Sequence, residues 1–245
     1  MHYGIQLYSV RDLTQSHGVL ETLRRVAEIG YKSVEFAGFG ASTTEEVRAE
    51  LDALDLSVDG AHIGINALSP EMIEQTMKDL KTVGCNRIII PAAKVNTMEN
   101  INIFLEKLRA ALPRLTDAGF EVGYHNHDFE YLPNEDGIIP MRVIEEKTNL
   151  FFELDTYWAY HAGLDPVAEM ERMGKRLRMI HLKDGIPALG KESGKPLGEG
   201  NAPVKKVYET ALAKGLPIIV ESETLTPDGP TEALVCYRYL KSIEA

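Results

Sequence analysis

Between Phe120 and Glu130 the chain reads Phe-Glu-Val-Gly-Tyr-His-Asn-His-Asp-Phe-Glu, which packs His125, Asn126, His127, Asp128 and Glu130 into six residues. Two imidazoles and two carboxylates just past a strand-like run can bind a metal ion or move protons. Similar side chains close other strand-like runs: Gln6, Tyr8, Ser9 and Arg11; Glu35; His62; Glu153 and Asp155; His181, Lys183 and Asp184; Glu221 and Glu223. Four of them, Glu130, Asp155, His181 and Glu221, form a hard, oxygen-rich ligand set for one divalent ion: Mn²⁺, Mg²⁺ or Co²⁺, with Zn²⁺ open. Proton transfer is expected from His125 or His127 as a free base, or from Glu130 and Glu221 at the metal. Side chains alternate along a strand, so His125 and His127 should face the same way and Asn126 the other. Arg11, Glu35, His62 and Lys183 would bind substrate hydroxyls or polarise a carbonyl, with Gln6 a further substrate contact. Trp158 either stacks on a flat ligand face or packs under a loop.

The elements that must position these residues alternate. Strands are expected at 3–10, 33–36, 56–63, 87–91, 120–124, 150–155, 177–182 and 217–220. Between and after them, apolar residues at helical spacing predict helices over 20–29, 43–54, 69–83, 97–117, 138–147, 166–173, 204–213 and 231–243. Ser69-Pro70-Glu71 reads as a helix start with proline in the first position, and Pro113 predicts a bend in the long 97–117 helix. The glycine-rich stretch 185–201 reads as a mobile cover over the site. Eight strand–helix units of about thirty residues match a single (β/α)8 TIM barrel over 1–245, whose chemistry lies at the C-terminal strand ends. An open doubly wound sheet is disfavoured, since no Gly-x-Gly-x-x-Gly follows any strand.

Composition narrows the function. The chain has 245 residues, 44% of them hydrophobic, and a formal net charge of −11. An acidic surface repels phosphate backbones, so a nucleic-acid partner is not expected. No stretch approaches 18 apolar residues, which argues against a membrane span. Met1 leads straight into a strand-like run, without the basic and apolar regions of a signal peptide. With two isolated cysteines, Cys85 and Cys236, a cytoplasmic location is the expectation. Homo-oligomerisation is left open.

The segments Gly-Ile-Gln-Leu-Tyr-Ser-Val-Arg-Asp (4–12), Tyr-His-Asn-His-Asp-Phe-Glu (124–130), Leu-Asp-Thr-Tyr-Trp-Ala (154–159), Ala-Gly-Leu-Asp-Pro (162–166), His-Leu-Lys-Asp (181–184), Gly-Glu-Gly (198–200) and Val-Glu-Ser (220–222) resemble the sugar phosphate isomerase/epimerase family of the xylose-isomerase-like barrels. The resemblance spans nearly the whole chain. It implies a divalent metal held by glutamate, aspartate, histidine and glutamate from strands five to eight, matching Glu130, Asp155, His181 and Glu221. It is nearest the inosose-dehydratase-like branch, and in that region His125 or His127 is the alternative to Glu130 as ligand. The endonuclease branch carries a histidine three residues after the strand-six aspartate. Here Trp158 stands there, which argues against a nuclease. The expected activity is isomerisation or epimerisation of a sugar, keto-sugar or polyol through an ene-diolate. Loss of a β-hydroxyl or glycosyl group, giving a lyase, is the alternative.

Overall fold

The computed structural model describes residues 2–244, and for 190–192 the backbone alone. Eight parallel strands close into a barrel. In chain order they are Gly4–Gln6, Ser33–Phe36, Ser57–His62, Arg87–Ile90, Glu121–His125, Phe151–Asp155, Leu177–Leu182 and Ile218–Val220. Each pairs with its chain neighbour, and the first closes on the eighth through Gly4↔Ile219 and Ile5↔Val220. The barrel expected from the alternation is therefore present, with helices between the strands.

The helices start where capping chemistry allows. Thr43 and Glu46 form a reciprocal capping box ahead of Thr44–Leu54, and Asp165 caps Pro166–Met173 through its side chain. The longer helices bury one stripe against the barrel: Val19, Leu23 and Val26 on Val19–Ile29, and Ile101, Leu105 and Leu108 on Met98–Asp117. The latter helix runs unbroken through Pro113. The helix expected from Ser69-Pro70 begins only at Ile73; Ile65–Leu68 is a 3-10 turn and 70–72 form turns. Two short helices that the apolar spacing did not announce, Arg11–His17 and Thr156–His161, follow strands one and six closely. Among the described residues no helix is long and apolar enough to cross a membrane.

Inside the barrel, Ile89, Phe151, Met179 and Ile219 form an apolar floor. Glycines opposite them make it fit. A Cβ on Gly123 would lie 2.3 Å from the Phe151 ring, and one on Gly60 would lie 2.4 Å from Ile89 Cδ1. Glu153 and His181 each lie two residues beyond a floor residue, Phe151 and Met179 respectively. The period of two keeps them pointing inward, above the floor. The polar site thus rests on a dry layer.

Candidate metal centre

Strand five delivers His125, strand six Asp155, strand seven His181, and Glu221 follows strand eight. Their donor atoms all lie within 4.8 Å of one another, and all four side chains are buried. His125 Nε2 stands 3.7 Å from Asp155 Oδ2 and 4.0 Å from Glu221 Oε2. His181 Nδ1 lies 3.2 Å from Glu221 Oε2. His125 Nε2 and Asp155 Oδ2 are buried without a hydrogen-bond partner. Buried polar atoms are normally satisfied, so two orphans converging on one point call for a further binding partner.

The supports of these donors aim them. His125 Nδ1 lies 3.2 Å from the Pro91 carbonyl, so Nδ1 carries the proton and Nε2 keeps its lone pair. Asp155 Oδ1 accepts the Trp158 N–H at the start of Thr156–His161, leaving Oδ2 free. Asn126 is turned to the neighbouring strand, as alternation predicts: its Nδ2 donates to the Asp155 carbonyl and its Oδ1 accepts the Asp155 N–H. Two imidazoles and two carboxylates therefore fit a divalent cation.

Glu130, expected as the strand-five ligand, is placed differently. One oxygen accepts the Tyr124 hydroxyl at 2.8 Å and the other the His127 N–H at 2.7 Å, and it lies outside the donor group. Burial pushes its pKa up to about 7, against the hydrogen bonds from Tyr124 and His127. His125 occupies the place assigned to Glu130 because the chain turns over 128–132 and swings the glutamate back beside the strand.

A second group lies on the other side of His181: buried Glu35 and Glu153 with half-buried His62, facing the His181 Nε2 edge. Gln6, Glu35 and His62 were expected to meet substrate. Instead Gln6 and Glu35 are fully buried, Gln6 Nε2 donates to Glu35 Oε1 at 2.7 Å, and His62 bridges Glu35 and Glu153. Burial opposes a charge on His62, but Glu35 and Glu153 outweigh it and raise its pKa to about 10. Glu153 has a sequence signal, since it lies two residues before Asp155 on the same strand face.

Arg11 is committed elsewhere too. It donates to the carbonyls of Tyr8 and Glu223 and stacks on the Tyr8 ring, 4.2 Å from its centroid.

Lys183 is buried beside the donor group, 3.6 Å from Glu221 Oε2 and 4.0 Å from Asp155 Oδ2, paired with Glu223 and 4.6 Å over Trp158. Burial would lower its pKa, but Glu221, Asp155 and Glu223 hold it above the usual lysine value. His127 stacks on Phe129 at 5.3 Å and lies 5.9 Å from Trp158. Its Nδ1 is buried and unpartnered, and burial together with His125 lowers its pKa to about 3.

A cavity of about 460 Å³ opens beside Lys183, lined also by Tyr157, Trp158, Lys195, Glu199 and Glu223. Its outer wall is the 184–202 segment. There Asp184–Gly185 pairs antiparallel with Gly194–Lys195. The Asp184 carboxylate accepts the N–H groups of Gly185, Gly198, Gly200 and Ala202.

Residues 23–240 match the model of the xylose isomerase-like TIM barrel family. The inosose dehydratase of Geobacillus kaustophilus (strain HTA426) is 20% identical over 188 residues, 67% of this chain and 61% of that protein; the match thus spans about three fifths of that relative. A sugar phosphate isomerase/epimerase from Parabacteroides distasonis superposes with a TM-score of 0.82 at 19% identity, covering 98% of this chain and 97% of that one. The probable 3-DHS dehydratase AsbF of Bacillus anthracis gives 0.77 at 15% identity, covering 98% and 99%.

Proposed function

The chain belongs to the xylose isomerase-like TIM barrel family, and we propose that it is a divalent-metal-dependent isomerase or epimerase of a sugar, keto-sugar or polyol. The observation that carries this reading is the pair of orphaned buried atoms, His125 Nε2 and Asp155 Oδ2, converging with His181 Nδ1 and Glu221. These four residues would hold one cation, Mn²⁺, Mg²⁺, Co²⁺ or Zn²⁺. When bound, the cation supplies a Lewis acid that polarises a substrate carbonyl beside a hydroxyl.

The chain's own groups handle the protons. His127, neutral across the physiological range, is the base that takes the proton next to the carbonyl, leaving an ene-diolate of the substrate. Lys183 stays protonated and donates a hydrogen bond to the developing oxyanion. Trp158, on the cavity wall, offers an apolar face to the sugar ring. Returning that proton to the neighbouring carbon isomerises the substrate, whereas epimerisation takes a proton from a second acid on the opposite face of the same carbon.

One observation favours a second reading. Lys183, a buried ammonium on the cavity wall beside Glu223, can protonate a departing β-hydroxyl, which would make the enzyme a dehydratase. The test is incubation of metal-loaded protein in D₂O with a panel of keto-sugars and inososes. Deuterium next to the carbonyl in a product of unchanged formula supports isomerase or epimerase chemistry. Loss of one water supports the dehydratase. Absence of both across the panel contradicts the proposal.

A further inference from the structure

His181 presents its two ring nitrogens to two different surroundings. Nδ1 faces the group in which His125 Nε2 and Asp155 Oδ2 have no hydrogen-bond partner and donors stand 3.2 to 4.0 Å apart. Nε2 faces Glu35 Oε2 at 3.3 Å and Glu153 Oε2 at 3.2 Å. On that second side His62 Nε2 sits 2.5 Å from Glu35 Oε1 and 2.9 Å from Glu153 Oε2, and Gln6 Nε2 lies 2.7 Å from Glu35 Oε1.

The contacts of His181 itself are alike on its two sides, 3.2 Å from Nδ1 and 3.2 to 3.3 Å from Nε2, but the spacings among the remaining members differ. Separations of 2.5 to 2.9 Å between polar atoms are those of direct hydrogen bonds. The wider spacing around two orphaned atoms on the first side leaves room for a cation. A carboxylate only accepts hydrogen bonds. Nδ1 faces one carboxylate, Glu221, and Nε2 faces two, so when a cation takes the Nδ1 lone pair beside Glu221, the ring proton stays on Nε2. Glu35, Glu153 and His181 are fully buried, which keeps water from substituting for those three, while His62 is half-buried. The carboxylates come from strands two and six, and His62 from strand three ties them together.

We propose that Glu35, His62 and Glu153 are positioning residues for His181, holding its Nε2–H between two carboxylates so that Nδ1 presents its lone pair to the cation. This rests on the reading that His125, Asp155, His181 and Glu221 bind a divalent ion. It gives the charges at the ends of strands two and three a role other than contact with substrate. Partners that fix the free N–H of a metal-bound histidine are typically worth 10- to 100-fold in metal affinity.

The experiment uses the full chain with Zn²⁺ as probe. Nitrogen-15 NMR of the zinc-loaded protein reports which His181 nitrogen is metal-bound. Chelator competition gives the dissociation constant for the wild type, Glu35→Gln, Glu153→Gln and His62→Gln. The expected results are Nδ1 ligation with a protected Nε2–H, and zinc binding about 10- to 100-fold weaker in the variants. The NMR arm needs only the wild type, so a variant that fails to fold does not remove the test. Ligation through Nε2 overturns the inference, as does wild-type affinity in folded Glu153→Gln and His62→Gln. Because Glu153 Oε1 is itself buried and unpartnered, stoichiometry matters. Two zinc ions per chain, one of them lost in Glu153→Gln, would make this group a second metal site and overturn the inference while sparing the first site. A wild type that binds no zinc overturns both.

Discussion

Replacing Glu130 by Gln separates a buried acid from a metal ligand. The Glu130 carboxylate has a pKa of about 7 in the fold, against an ordinary value of 4.5, chiefly because burial disfavours its charge. Between those two values the folded protein holds a proton that the unfolded chain has lost, so metal-free stability should fall as pH rises from about 4.5 to about 7. At about 1.4 kcal/mol for each pH unit, that gap is worth about 3 kcal/mol. Gln keeps the size of the side chain and an oxygen to accept the His127 N–H, but cannot ionise. In urea titrations of metal-free protein at pH 4.5 and pH 8, Glu130→Gln should therefore lose about 3 kcal/mol less than the wild type between the two conditions, and its metal content after loading should match the wild type. Parallel pH dependence in the two proteins would refute the burial argument. Loss of metal from Glu130→Gln would restore Glu130 as a ligand.

His127→Gln should lower turnover by about 10²–10⁴ while leaving metal content unchanged; unaltered turnover on an identified substrate would remove His127 from catalysis. Gly123→Ala places a methyl 2.3 Å from the Phe151 ring and should cost about 1–3 kcal/mol. The melting temperature should drop by several degrees, roughly 2–4 °C for each kcal/mol, and Phe151→Leu in the same chain should recover part of it; an unchanged melting curve would contradict the account of the barrel floor. Asp184→Asn weakens the acceptor of four backbone N–H groups, so hydrogen exchange at Gly198, Gly200 and Ala202 should accelerate, and identical exchange would show that the carboxylate does not hold the segment.

The eight strands were legible because β-branched and apolar runs alternate with helical stripes, and that pattern reports burial directly; the first is shorter than the expected 3–10, since Leu7–Val10 is a 3-10 helix. Asp155, His181 and Glu221 were legible because each sits at or just past a strand end, where the period of two still predicts direction. Glu130 was not. It lies beyond the strand in a turn, and no periodicity says where a turn sends its side chains. The same limit hid the inward fate of Gln6, Glu35 and His62: position at a strand end does not tell whether a side chain meets substrate or a neighbouring strand's carboxylate. The start at Ser69-Pro70 failed for a related reason. Proline suits the first turn of a helix, but it equally suits the turns at 70–72 that precede Ile73. The helices Arg11–His17 and Thr156–His161 are too short to show a convincing stripe, and Asp155 caps the second while offering its other oxygen to the site.

The proposed chemistry depends on His125, Asp155, His181 and Glu221 holding one divalent cation. Metal analysis of the full chain, loaded with Mn²⁺ and desalted, tests it directly in the wild type and in His125→Ala, Asp155→Ala and His181→Ala. One equivalent per chain is expected in the wild type, and its loss in all three variants. Stoichiometric metal retained in both Asp155→Ala and His181→Ala would contradict it.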